Sequence, residues 1–92
     1  MTFIMKTAKQ LERHFKGIAN HRRIDILILI DKSGEATLDE IAKKLNCHFK
    51  TISGHTKSLV HAGLLNKRYK GRSVIHTLSP YGKILLKFIK TF

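Results

Sequence analysis

The 92-residue chain contains a single cysteine, Cys47, and no tryptophan. A lone cysteine excludes an intrachain disulfide and a zinc site built on several thiolates, so a reducing cytosol is the simplest compartment. No secretory signal is visible at the amino terminus, and the longest apolar run, residues 26–30, is far too short to span a bilayer. These absences predict a soluble cytoplasmic protein with no membrane partner.

Acidic residues are missing from the second half of the chain. All six lie at or before Glu40, whereas eleven of the eighteen lysines and arginines follow it, so residues 41–92 carry almost all of the formal net charge of +12. Positive charge concentrated in this way predicts a nucleic-acid partner. No carboxylate stands beside a histidine in a nucleophile arrangement, and no glycine-rich phosphate loop is present. We therefore expect a binding protein and not an enzyme.

The central pattern lies between residues 37 and 78. Thr37 followed three residues later by Glu40 is the capping-box signature of a helix start, and apolar residues then recur at helical spacing over residues 38–45. After a short turn a second helix is predicted over residues 49–62, ending at a glycine. Two helices joined by so short a turn form a helix-turn-helix, whose second helix can enter a DNA major groove.

A basic hairpin is predicted immediately afterwards. Its strands cover residues 64–70 and 73–78, around a tight turn that contains Gly71. Helix, turn, helix and basic hairpin is the order of a winged helix-turn-helix, in which the hairpin is the wing. Four cations within six residues suit a phosphate backbone, and they are Lys67, Arg68, Lys70 and Arg72.

Three further helices complete the predicted fold. Amphipathic helices are expected over residues 7–19 and 80–90. Residues 21–32 are apolar on nearly every side and rich in β-branched isoleucine, which favours a strand, but the length of the segment favours a central helix. We predict one winged helix-turn-helix domain over residues 1–92, mainly α, with about five helices and two to three short strands.

The terminal helix has two interpretations. An apolar side opposite a row of lysines is typical of helices that lie on anionic membranes. The same pattern is typical of a helix that closes the core or forms a dimer seam. We favour the second interpretation, because the first helix also has an apolar face that needs a partner.

Four segments resemble the ArsR-type winged-helix repressors and their MarR-like relatives. They are NHRRIDIL, LDEIAKKL, TIS and LVHAGLL, at residues 20–27, 38–45, 51–53 and 59–65. The resemblance implies a homodimer that pairs through its first and last helices and binds a pseudo-palindromic operator in double-stranded DNA. The interface residues expected on those helices are Leu11, Phe15, Leu85, Phe88, Ile89 and Phe92.

Metal sensing is one family property that these residues do not match. Metal-sensing members carry two cysteines at the start of the third helix, where this chain has Thr37 and Asp39. The last helix has no His, Asp, Glu or Cys to supply the other familiar sensor site. We therefore expect no metal site and no cofactor.

The second helix of the pair should carry the contacts with DNA. With Ile52 facing inward, the helical period turns small, polar and positive side chains outward, and Phe49 is expected to anchor inward at the helix start. Gly54 in mid-helix is explained either by close approach to DNA or by a helix bend. The predicted DNA-contacting residues are His48, Lys50, Thr51, Ser53, Gly54, His55, Lys57, Ser58, Lys67, Arg68, Lys70 and Arg72.

The favoured function is sequence-specific regulation of transcription by a homodimeric repressor associated with the nucleoid. Residues 49–62 would occupy the major groove, and wing residues 67–73 would lie on the backbone or in the minor groove. The alternative is a non-specific DNA-coating or architectural protein, because a charge of +12 on so small a chain binds any duplex electrostatically. A third alternative uses the same fold for contacts with RNA or protein.

Overall fold

The computed structural model describes residues 5–92, and the expectations that concern residues 1–4, including the absence of a secretory signal, lie outside that part. The predicted fold class is confirmed: each predicted helix and both wing strands are present, with ends within one residue of those expected. No helix within residues 5–92 is long and apolar enough to cross a membrane. The elements are α1 Ala8–Ile18, α2 His21–Ser33, β1 Ala36–Thr37, α3 Leu38–Leu45, α4 Phe49–His61, β2 Leu65–Lys70, β3 Ser73–Leu78 and α5 Pro80–Ile89.

Side-chain caps set the helix ends. The backbone N–H of Glu40 donates to the Thr37 hydroxyl at 3.2 Å, and the Thr37 N–H donates to the Glu40 carboxylate at 3.0 Å. Donation to the Glu40 carboxylate, from the Thr37 backbone N–H first and from the Thr37 side chain second, holds the pKa of Glu40 below its ordinary value. Asn20 caps α2 by accepting from the Arg22 N–H at 2.9 Å, and Asn46 ends α3 in the left-handed region at φ 51°.

The isoleucine-rich segment forms α2, the central helix. Ile26, Leu27 and Ile30 are fully buried, and the helix contacts α1, α3, α4, α5 and β3. Because neighbouring elements cover α2 on most sides, the helix can be apolar on most sides as well. Packing in the core therefore overrides the strand preference of isoleucine.

The three-stranded antiparallel sheet has the order β1-β3-β2. Ala36 of β1 and Lys67 of β2 both lie opposite His76 of β3. The His76 side chain is buried, and within residues 5–92 its Nδ1 has no hydrogen-bond partner. Burial and the nearby Lys67 charge lower the pKa of His76, against a smaller opposing contribution from the Ala36 backbone. Burial in the base of the wing therefore favours the neutral form of this imidazole.

Two glycines bring helices against the end of α4. A Cβ added at Gly17 of α1 would lie 2.2 Å from the Ala62 Cβ, and one added at Gly82 of α5 would lie 2.1 Å from the Leu64 carbonyl oxygen. Both distances are far below van der Waals contact. The backbones of α1 and α5 thus approach the α4–β2 corner as closely as they do only because neither glycine has a side chain.

Candidate nucleic-acid interface

Helix α4 has a buried side and an exposed side. Ile52, Thr56 and Leu59 face the core and are at most 2% exposed. The Thr56 hydroxyl donates to the Ser53 carbonyl at 3.0 Å, which satisfies a buried polar group within the helix. The residues that the helical period places outward are exposed, and they are Lys50, Gly54, Lys57 and His61.

The remaining predicted residues of α4 line the edges of the exposed side. His48 and Thr51 are exposed, whereas Ser53, His55 and Ser58 are half-buried. His48 is the N-cap residue, but its side chain makes no capping hydrogen bond. His48 and the seven predicted positions of α4 are thus all at least partly exposed, on or beside the side of the helix that faces away from the core.

Phe49 corrects the expectation that it anchors inward, because its side chain is 51% exposed. The core around the turn is filled by Leu45, Cys47 and Ile52, and Phe49 is not among the residues that pack there. Instead it borders a cavity of about 690 Å³ that opens to solvent between α3 and the start of α4. The helical period did not predict this exposure, because it places position 49 close to the buried side of α4. In the structure, however, the hydrophobic core does not extend as far as this position.

The four predicted wing cations are all exposed, but they are not equivalent. Arg68 pairs with Glu35, with 2.5 Å between Nη2 and Oε2, and both side chains remain about half exposed. Within residues 5–92, Lys67, Lys70 and Arg72 take part in none of the ion pairs. The sequence did not predict the contact between Arg68 and Glu35, because the two partners are 33 residues apart.

Exposed apolar side chains also lie on α1 and α5, and they are together called the apolar surface here. Phe15 and Phe88 are each 54% exposed and Ile84 is 66% exposed, whereas Leu85 and Ile89 pack partly buried against the core. Phe92 and Phe88 meet edge to face, with 5.3 Å between ring centroids. Leu11 is half-buried. Of the predicted interface residues, Leu85 and Ile89 therefore also contribute to the monomer core, and Ile84 belongs to this apolar surface although it was not among them.

A two-helix motif, α3 and α4, followed by a hairpin with exposed cations defines a winged helix-turn-helix domain, the class used by transcriptional regulators. The MarR family profile matches residues 19–71, and the chain belongs to the MarR family. The resemblance to ArsR-type and MarR-like regulators is therefore confirmed.

Individual relatives agree with this classification. The chain is 33% identical over 67 residues to the arsenical resistance operon repressor of Escherichia coli K12, and the match covers 73% of this chain but only 57% of that repressor. HlyU from Vibrio cholerae is 28% identical with a TM-score of 0.81, and 94% of each chain is covered. A homodimeric winged helix-turn-helix DNA-binding domain from Mycobacterium bovis shares the fold, at 23% identity and a TM-score of 0.83, with 97% of this chain and 88% of that domain covered.

The donor groups near α3 do not fit the metal site of metal-sensing relatives. The Thr37 hydroxyl is engaged as the cap of α3, and the Cys47 thiol donates to the Leu45 carbonyl at 3.3 Å. In residues 5–92 no three His, Cys, Asp or Glu side chains gather in a group that could hold a metal ion.

Proposed function

We propose that the chain is a sequence-specific regulator of transcription that acts as a homodimeric repressor on double-stranded DNA. In this proposal α4 lies in the major groove and the wing rests on the backbone or in the adjacent minor groove. The observation that carries the proposal is the exposed polar side of α4 beside three wing cations that have no acidic partner within residues 5–92. The operon repressor of E. coli supports the repressor function by analogy.

The apolar surface on α1 and α5 supports the dimer. Phe15, Ile84 and Phe88 leave more than half of their side-chain area in water, and large exposed apolar patches mark sites of association. The M. bovis domain with the same fold is described as homodimeric and DNA-binding. A two-fold dimer would read two half-sites about 34 Å apart, one helical turn of DNA.

Non-specific coating of DNA is the second candidate, favoured by the net charge of +12. Selection of binding sites from a random duplex library, followed by titration at two salt concentrations, separates the two functions. An enriched inverted repeat supports the repressor. Tight, steeply salt-dependent binding without enrichment supports the coating protein. Absence of binding, or preference for RNA, contradicts both.

Single substitutions divide the proposed contacts into two groups. Lys50→Ala and Thr51→Ala should weaken binding to the selected site by about 5- to 150-fold, the usual range for contacts with base edges, while binding to bulk DNA changes far less. Arg72→Ala should weaken binding to every sequence alike and reduce the salt dependence by about one phosphate contact. Titration of each variant on specific and random duplexes measures both effects.

The matched control is Lys83→Ala, which removes an exposed charge from α5, away from the proposed surface. An equal loss on all sequences for Lys50→Ala would show that this side chain does not read bases. Loss caused by Lys83→Ala as large as that of Arg72→Ala would show that the wing has no special part in binding.

Gly54→Ala should separate stability from binding. Helix α4 is continuous through this position, and a Cβ added to Gly54 meets no atom within 4 Å. Alanine should therefore stabilise the fold by about 0.5–1 kcal/mol, because glycine lowers helix stability. If Gly54 exists to let DNA approach the backbone, the same variant should bind the selected site more weakly. Thermal unfolding and titration test the two effects, and unchanged or tighter binding would contradict the role in close approach.

A further inference from the structure

The Arg23 side chain links three helices at the position of His55, one of the residues of the proposed DNA-binding surface. From its place near the start of α2, its Nε donates to Nδ1 of His55 on α4 at 3.1 Å. Its Nη1 donates to the carbonyl of Gly17 on α1, also at 3.1 Å. Both Arg23 and His55 are half-buried. The guanidinium is therefore held from two directions and presents a fixed N–H to the imidazole.

This contact determines where His55 carries its proton. An arginine side chain does not lose its charge in proteins and offers only donors, so Nδ1 must be the accepting nitrogen. A neutral imidazole that accepts at Nδ1 carries its hydrogen on Nε2. Burial, followed by the charges of Arg23, His21 and Arg22, lowers the pKa of His55, which agrees with an uncharged ring.

The other nitrogen of His55 is free to bind a partner. Within residues 5–92, Nε2 has no hydrogen-bond partner and is not a buried atom. His55 lies one helical turn beyond Thr51 and beside Gly54, on the polar surface of α4. The position therefore offers one N–H at a set orientation and no acceptor.

We propose that Arg23 is a positioning residue that holds His55 in the Nε2–H tautomer, so that His55 donates to a hydrogen-bond acceptor of the bound DNA. The inference rests on the proposed function. The acceptor is either a base atom of the major groove, such as purine N7, or a phosphate oxygen. Arg23 acts through His55 and does not itself touch DNA.

The tautomer is tested first, in the free protein. Long-range ¹H–¹⁵N spectra of the labelled chain report which ring nitrogen of each of the six histidines is protonated, and a His55→Gln spectrum assigns the His55 signals. The wild-type ring should be protonated at Nε2 alone. Arg23→Met should give a mixture of tautomers. Arg22→Met removes the same charge one position earlier, where the side chain pairs with Asp25 at 3.8 Å, and should leave the tautomer of the neutral His55 ring unchanged.

Protonation of His55 at Nδ1 in the wild type, or a tautomer that Arg23→Met does not alter, would overturn the proposal. The wild-type measurement needs no variant to fold. If Arg23→Met unfolds, Arg23→Gln, which keeps one amide donor, replaces it, and a larger share of the Nδ1–H form than in the wild type is then the supporting result.

Binding to the selected operator tests the second half of the proposal. His55→Ala and Arg23→Met should each weaken it by about 2- to 10-fold, the usual effect of one hydrogen bond. The double variant should be no weaker than His55→Ala alone, because Arg23 acts through His55. Additive losses would mean that Arg23 contacts DNA directly, and would overturn the positioning role.

Atomic substitution in the DNA identifies the acceptor. A scan with 7-deazapurines removes N7 atoms one by one, and a scan with methylphosphonates removes phosphate charges. The position whose substitution weakens the wild type but not His55→Ala is the partner of Nε2. If no position behaves so, His55 makes no such contact. If site selection yields no operator, the proposed function fails. The tautomer measurement does not use DNA, so it still shows whether Arg23 sets the tautomer of His55.

Discussion

Replacing Ile84 and Phe88 together by aspartate should convert the proposed dimer into a folded monomer and weaken operator binding by about 100-fold or more. Both side chains are more than half exposed, so the monomer loses little packing. Two buried carboxylates in an apolar interface are costly because they would lack partners. A monomer reaches only one half-site, and the gain from linking two binding modules, about 10²- to 10⁴-fold, is lost. Sedimentation and operator titration measure the two consequences.

The control for this experiment is Lys83→Asp with Lys87→Asp, which places two aspartates on exposed positions of the same helix. It should leave the sedimentation coefficient unchanged. An unchanged coefficient for the Ile84 and Phe88 variant would exclude this interface. Ile89 is a poor choice for the test, because it packs against the monomer core and its replacement would confuse dissociation with unfolding.

Gly82→Ala should lower the melting temperature by roughly 10–20 °C. The added methyl would meet the Leu64 carbonyl oxygen at 2.1 Å, and a backbone atom cannot swing aside as a flexible side chain does. Overpacking of this kind costs about 2–3 kcal/mol, and each kcal/mol shifts melting by about 4–8 °C in a domain of this size. Thermal unfolding followed by circular dichroism gives the value directly.

Gly54→Ala is the matched control, because the same methyl group is added to a helical glycine with open space around it. The two variants should shift the melting temperature in opposite directions. If Gly82→Ala melted at or above the wild-type temperature, α5 would have to tolerate displacement from the α4–β2 corner, and the close approach at Gly82 would not limit stability.

The helices were predictable because their ends are set by local chemistry. Thr37 with Glu40, and Asn20 before α2, form hydrogen bonds within three residues of chain. The glycine after α2, Gly34, has a positive φ of 83°, which glycine adopts readily, and it is the C-cap residue of that helix. Such signals do not depend on the rest of the fold. For the same reason the outward side of α4 followed from the helical period alone.

Contacts between distant residues were not predictable. Arg23 and His55 are 32 residues apart, and neither has a sequence feature that points to the other. The exposure of Phe49 depends on where the core ends, which only the packing of α3 against α4 decides. The division of α5 between Ile84 at the surface and Ile89 against the core was also not predictable, because it depends on how the helix is rotated against α2.

In the proposed complex, Glu35, which lies just before β1, would compete with DNA phosphates for Arg68 of the wing. A DNA phosphate that binds Arg68 would have to displace the Glu35 carboxylate, whose Oε2 lies 2.5 Å from Nη2 of Arg68. The arginine would then exchange one anionic partner for another. The net gain from such an exchange is small, because both pairs lie in water where ion pairs contribute little. In the proposed complex Arg68 would therefore add little net affinity, and the free energy of discrimination between DNA sites would arise mainly at α4.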